Sequence, residues 1–254
     1  KGGCEYCSET KRFNYSSADR VIKEIKAAQE QKYKAIFFDD STFTAFSKDG
    51  TRSRESVRDI FNYLKEEDIE WGCQTRVDKL DESLVKEMKE SGCTYVYLGV
   101  ESADQEMLDA MKKGLTVQQT QDAINLLDKY GIRIGISLLF GTFGEIRGTD
   151  GEKKSVYENE DSIDRTIQFV KKNLDEGKNI TLASMNLWTH YPETRAVKKL
   201  EQRGENDPER IDPEIFEGPI AKKGYPWNRF EDGQGHHPPH VTEELARYIL
   251  EHGI

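Results

Sequence analysis

Apolar positions along the chain switch between two periods. Short runs dense in β-branched and aromatic residues at 35–38, 69–74, 95–100, 132–140 and 180–188 predict five strands. Between them, apolar stripes at three- and four-residue spacing predict helices. These run through Val21, Ile22, Ile25 and Ala28, through Val57, Ile60, Phe61 and Leu64, and through Leu84, Val85 and Met88. Residues 104–111, 117–130 and 193–203 carry the same pattern, as do Ile163, Ile167, Val170 and Leu174. Thr242 reads as the N-cap of a last helix over 242–252, with Glu243 and Glu244 in its first turn. Strand alternating with helix means parallel strands with helices over one or both faces. Polar and glycine residues gather just past the strand ends: Asp39 and Asp40, Glu101 and Ser102, and residues 141–145. Barrel-like α/β enzymes place their chemistry there. A doubly wound sheet is the competing architecture, and periodicity does not separate the two.

Two stretches break the pattern. Residues 146–159 are polar and contain glycine, and read as a long loop. Residues 204–239, rich in Pro, Gly and charge, read as a wrapping tail. The expected organisation is a core over 1–203 and a C-terminal tail with a final helix over 204–254.

Composition narrows the function classes. The 254 residues carry a formal net charge of −10, which argues against a nucleic-acid substrate, because proteins that track phosphates show a basic face. The longest apolar stretch, 134–140, falls far short of the ~20 residues a membrane-spanning helix needs. No signal peptide is visible. The chain opens on Lys1 instead of Met, so its start is expected upstream. Four cysteines in a chain of this size do not make a secreted disulfide scaffold, and the expectation is a reducing, cytoplasmic setting.

The cysteines bring in candidate chemistry. Lys1-Gly2-Gly3-Cys4-Glu5-Tyr6-Cys7 holds a Cys-x-x-Cys beside glycines. On its own this leaves half a zinc site, a redox pair and part of an iron–sulfur loop all open. Cys73 and Cys93 form no second pair and lie in or beside predicted strands, so they are expected to be buried small hydrophobes. His236, His237 and His240 are separated by prolines and have no Cys or acidic partner at a metal-site interval. They read as a surface loop, with substrate contact as the other reading.

Further motifs, taken in order, carry a resemblance. Cys4-Glu5-Tyr6-Cys7 resembles the last four positions of the Cys-x-x-x-Cys-x-aromatic-Cys loop of radical S-adenosylmethionine (radical SAM) enzymes. Phe37-Phe38-Asp39-Asp40-Ser41-Thr42-Phe43 resembles the second-strand motif of the subgroup that often carries a cobalamin domain. Gln74-Thr75-Arg76-Val77-Asp78 is similar to that group's third strand, and Gly99-Val100-Glu101-Ser102 to its fourth. Lys113-Gly114-Leu115-Thr116 and Gly131-Ile132 stand at the expected intervals. Leu139-Phe140-Gly141-Thr142-Phe143-Gly144-Glu145 resembles the Gly-x-Pro-Gly-Glu turn after the fifth strand, and Tyr191-Pro192-Glu193-Thr194 the Pro-Gly-Thr after the sixth. Phe143 stands where Pro is usual and Glu193 where Gly is usual. The resemblance covers about residues 1–200.

The resemblance implies an α/β fold, a partial (β/α)6 barrel of the TIM type, with its first strand and the motif's first cysteine lying just before Lys1. It also implies an enzyme that cleaves S-adenosylmethionine (SAM) at a [4Fe–4S] cluster and generates a 5′-deoxyadenosyl radical. The implied cofactors are the cluster, SAM and cobalamin from an upstream domain; the implied partner is a small electron donor such as flavodoxin or ferredoxin. Cys4 and Cys7 become metal ligands, and Tyr6 presents its backbone to adenine. Asp40, with Asp39 and Thr42, would take the SAM ammonium, the other reading being helix capping or a solvated acid. Arg76 would pair with the SAM carboxylate or form a structural ion pair. Glu101 and Ser102 would bond ribose hydroxyls, with a capping box from Ser102 to Gln105 as the rival. Leu139 would touch adenine or sit in the core. The resemblance leaves the substrate open, and hydrogen abstraction, cobalamin-dependent methyl transfer and carbon–carbon bond formation all stand as outcomes. The rivals are a methylthiotransferase and a non-catalytic metal-binding or scaffold protein that kept the barrel.

Overall fold

The computed structural model describes residues 4–7, 16–46, 53–148, 151–188 and 194–202. Its helices start where a short polar side chain satisfies an N–H that the first turn leaves open. Helix α1 (Ala18–Glu30) opens on Ser17, α2 (Arg54–Glu66) on Ser53 and α3 (Glu82–Glu90) on Asp81. Helix α4 (Gln105–Ala110) opens on Asp104, while α5 (Val117–Lys129) has a full capping box between Thr116 and Gln119. Helix α6 (Glu160–Asp175) opens on Asn159, and α7 (Arg195–Gln202) closes the described chain.

Between the helices run β1 (Ala35–Phe38), β2 (Glu70–Thr75), β3 (Cys93–Glu101), β4 (Arg133–Phe140) and a later strand, Ile180–Leu187. With the hairpin strands β5 (Phe143–Arg147) and β6 (Lys153–Tyr157) between them, that later strand is β7. One five-stranded sheet has the order β1-β2-β3-β4-β7, and every neighbouring pair is parallel. All five C-terminal ends therefore share one pole. Asp39, Asp40 and Glu101 lie at that pole, as the strand-end pattern predicts.

Alternation along the strands decides between barrel and doubly wound sheet. Val96, Leu98, Val100, Ile134, Ile136 and Leu138 are completely buried and join one core with Ile25, Leu64, Val85, Ile124 and Val170 of the helices. The opposite face carries Tyr95, Tyr97 and Ser137, which are only half-buried, and Phe37, which is 48% exposed. A doubly wound sheet buries both faces. Helices over one face alone match a partial, open barrel, and no closed barrel forms among the described residues.

The core is anchored beneath β2. Trp71 is 1% exposed, stacks on Phe61 at 5.1 Å between centroids and meets Phe38 edge-on at 5.7 Å. Its indole N–H donates to the Ser91 carbonyl at 2.9 Å, so burial leaves no polar atom unsatisfied.

Two expectations need correction here. Residues 146–159 are not a plain loop: β5 and β6 pair antiparallel, with Phe143 opposite Tyr157 and Arg147 opposite Lys153. Exposed Lys153 and Lys154 make the segment read as polar, but Val156 is buried against Met107 and Met111 of the α4 region. A Cβ at Gly144 would overlap the Ala110 carbonyl, so glycine is what lets β5 lie this close to α4. The last helix among the described residues, α7, begins at Arg195, two residues later than the predicted helix over 193–203. The expected tail over 204–254, with the helix predicted at its end and the three histidines, lies outside the described residues.

Trp71→Ala is expected to lower unfolding free energy by about 3–5 kcal/mol, the range for emptying a large aromatic site. Urea denaturation of the two proteins measures it, and a loss under ~1 kcal/mol would contradict the packing described.

Candidate active site

The cysteine turn has no helix or strand of its own. It is held by its neighbours. The Glu5 N–H donates to the Met111 carbonyl at 3.0 Å, and the Glu5 carbonyl accepts from the Ala196 N–H at 3.1 Å. Cys4 is half-buried and Cys7 exposed. Arg76, one residue past β2, reaches across the strand ends and places Nη1 3.9 Å from Cys4 Sγ.

From Arg76 a chain of bonds runs into the mouth of the sheet. Arg76 Nη2 donates to the Lys113 carbonyl at 3.0 Å. Lys113 Nζ lies 2.8 Å from Glu101 Oε1 and 3.1 Å from the Tyr6 hydroxyl. Ser137 of β4 donates to the other Glu101 oxygen at 3.4 Å, and the Asn186 amide of β7 donates to Ser137 at 3.3 Å. The structure thus joins Cys4, Tyr6, Arg76 and Glu101 in one network. Lys113 is the residue that sequence reasoning passed over; its signal was the Lys-Gly pair at a family interval, to which no role was attached.

Local strain builds this junction. Glu101 adopts φ +67°, unusual for a residue with a side chain, and the β3–β4 register shifts between Gly99 and Glu101. The strand therefore ends by turning the Glu101 carboxylate back over the sheet. A Cβ on Gly99 would stand 3.0 Å from Glu101 Oε1 and 3.2 Å from Lys113 Nζ, so the missing side chain makes room for the ion pair.

Electrostatics follow the burial. The Tyr6 phenol is pushed well above its ordinary range, first by burial and then by the negative neighbours Glu101 and Cys4. Burial pushes Asp78 up, but the hydrogen bond from Arg76 at 2.8 Å, the Arg76 charge and nearby Lys79 together outweigh that and hold the carboxyl below the usual range. Arg76 is thereby committed to Asp78, the Lys113 carbonyl and Cys4. The structural ion pair with Asp78, one of its two sequence readings, is present.

The other candidates divide. Asp39 accepts from Gln74 at 3.1 Å across the β1 and β2 ends, and Asp40 is exposed beside it. Thr42 donates to the Ser41 carbonyl at 2.7 Å. Leu139 lies on the half-buried face of β4 with Ser137, at 9% exposure, outside the helix-side core. The rival reading of Ser102 as the α4 cap is not formed, because Asp104 fills that role by accepting from the Met107 N–H at 2.8 Å. The Ser102 hydroxyl is buried against Thr166 of α6 at 3.2 Å and accepts from the Asp104 N–H. Cys73 and Cys93 are completely buried, as expected, and burial pushes the Cys93 thiol up to about 12.

A second buried acid braces the turn after β4. Glu158, at 2% exposure, accepts from the Gly141 N–H at 2.5 Å and the Thr142 N–H at 3.3 Å. It closes the glycine-containing turn from beneath.

Comparison with known proteins agrees with this geometry. The profile of the Radical SAM superfamily matches residues 1–149. An uncharacterized methyltransferase of Pyrococcus horikoshii is 34% identical over 199 residues, 76% of this chain and 38% of the relative. A putative methylthiotransferase of Methanocaldococcus jannaschii is 28% identical over 151 residues, 54% of this chain and 32% of the relative. Among solved structures, the radical S-adenosylmethionine methyltransferase TsrM from Kitasatospora setae, with cobalamin and a [4Fe–4S] cluster bound, superposes with a TM-score of 0.60. Identity there is 16% over 79% of this chain and 35% of that one, so the likeness is one of fold. The chain spans well under half the length of these relatives.

Burial, opposed by the Thr142 and Gly141 N–H groups, pushes the Glu158 carboxyl from 4.5 up to about 8. Between those values the folded chain keeps a proton that the unfolded chain has released. Stability is full below the unfolded value and is lost as pH rises through about 8, at up to ~1.4 kcal/mol per pH unit. Glu158→Gln is expected to flatten that loss in thermal melts from pH 5 to 8; a variant as steep as the parent would contradict it.

Proposed function

The chain belongs to the radical SAM superfamily, and on that premise we propose that the whole protein cleaves SAM reductively at a [4Fe–4S] cluster and uses cobalamin for methyl transfer. When bound, the cluster supplies the electron that breaks the S–C5′ bond of SAM, giving methionine and the 5′-deoxyadenosyl radical. The carrying observation is the Cys4–Tyr6–Cys7 turn, fastened over the C-terminal ends of five parallel strands with Arg76 on the Cys4 sulfur.

The donor set fits as far as it extends. Cys4 and Cys7 stand on one turn and would hold two irons of a cluster that takes three thiolates. Among the described residues, no group of three or more Cys, His, Asp or Glu offers a rival metal site. Tyr6 would pack beside SAM, with its phenol kept protonated. Asp39, Asp40 and Thr42 at the β1 end would accept from the SAM ammonium. Glu101, oriented by Lys113 and Ser137, would meet the ribose hydroxyls, and Leu139 would lie against adenine. Buried Ser102 would act through the β3 end without touching the nucleoside.

Cobalamin would come from a domain outside this chain, and the electron from a small flavodoxin or ferredoxin. Residues 1–203 would form the barrel core and 204–254 a tail that wraps it. No helix among the described residues is long and apolar enough to cross a membrane. A methylthiotransferase is the second reading, supported by the relative of that kind.

Cys4→Ala or Cys7→Ala in the full-length reconstituted protein is expected to bring 5′-deoxyadenosine formation down to background, with the far-ultraviolet circular dichroism unchanged. Removing a thiolate takes away the cluster and leaves strand–helix packing intact. Parent-level 5′-deoxyadenosine from either variant, measured by chromatography after reduction, would overturn the proposal.

A further inference from the structure

We propose that Glu5, standing between the two candidate ligands, is the positioning residue of the cysteine loop. It is 1% exposed. Its carboxylate lies 2.6 Å from Lys112 Nζ and 2.5 Å from Lys199 Nζ, a partner 194 positions away. Its own N–H and carbonyl are bonded to Met111 and Ala196. Backbone and side chain of one residue thus tie the loop to the end of α4 and to α7.

The tie extends further. Lys199 also meets Glu145 of β5 at 3.0 Å, and Glu145 meets Lys153 of β6 at 3.7 Å. Charges of alternating sign run from Lys112 through Glu5, Lys199 and Glu145 to Lys153. A carboxylate this buried is tolerated only when it is paired. Taking away either side leaves a charge that the loop must move to hydrate. Its described residues, 4–7, form no helix or strand, so the turn leans on these outside partners. Cys4 and Cys7 are set in place before any cluster arrives, in the way a preorganised site is. Helix α7 lies beyond the residues that the family profile matches, yet it supplies half of this support.

The proposal rests on the cluster reading of Cys4 and Cys7 only for its second readout. The first is hydrogen exchange, followed by mass spectrometry, on the full-length protein before reconstitution. Glu5→Ala is expected to speed exchange in the peptide covering residues 4–7 by about tenfold or more, with protection of β2, β3 and β4 unchanged. Iron bound per chain after reconstitution is expected to fall with it. Lys199→Met acts from the partner's side and is expected to move both readouts the same way, while Lys199→Arg keeps the charged bond and the parent values. Parent-like loop exchange in both Glu5→Ala and Lys199→Met overturns the proposal. So does lost protection spread evenly through the sheet, which would make Glu5 a contributor to general stability. A parent protein that takes up no iron contradicts the cluster reading alone, and exchange still decides the role of Glu5.

Discussion

The mouth of this sheet is organised by the ion pair between Lys113 and Glu101. The two side chains are 5% and 12% exposed and lie 2.8 Å apart. Removing two charges from water costs several kcal/mol each, and attraction offsets it only when the remaining donors and acceptors are also met. Here they are. The ammonium bonds the Tyr6 hydroxyl, and the second carboxylate oxygen accepts from Ser137. The backbone gives way to the pair as well: glycine stands at 99, and Glu101 takes a left-handed φ to bring its carboxylate inward. Strain of order 1–3 kcal/mol at one residue persists only where its surroundings over-determine it.

From that junction the rest of the site is placed by topology. Parallel strands bring every strand end to one pole, so residues from β2, β3, β4 and β7 meet without any long loop. Arg76 extends the network to Cys4, and Lys113 extends it to Tyr6, two residues further along the same turn. The hairpin of β5 and β6 packs on α4 from outside, and Glu158 at its end fixes the turn that follows β4. Chemistry-bearing side chains therefore sit on a frame that helix packing on the opposite face has already made rigid.

Much of this was legible in the sequence, for reasons that differ by residue. The five sheet strands show as β-branched runs because their helix-facing side is continuously apolar, and β2 is displaced by only one position from its pattern. Cys4, Tyr6, Arg76 and Glu101 were reached through motif spacing, and they meet. The hairpin was not legible: five-residue strands with exposed lysines carry too little apolar signal. The rival cap reading of Ser102 arises because a serine before a helix looks like a cap, whereas the chain makes Asp104 the cap and buries Ser102 under α6. Lys113 and Glu5 escaped notice because each acts across the fold. Lys113 meets Tyr6 over 107 positions and Glu5 meets Lys199 over 194, and local pattern carries no trace of such pairs.

A double-mutant cycle on the central pair tests this account most directly. Lys113→Met, Glu101→Gln and the double variant of the full-length protein would be compared by chemical denaturation. The account predicts that Lys113→Met alone costs about 3–5 kcal/mol, because it strands a buried carboxylate. It predicts further that the double variant loses less than the sum of the two single losses, by a coupling energy of about 1.5–3 kcal/mol. Losses that add within ~0.5 kcal/mol would mean that the two side chains do not depend on one another, and would contradict the account.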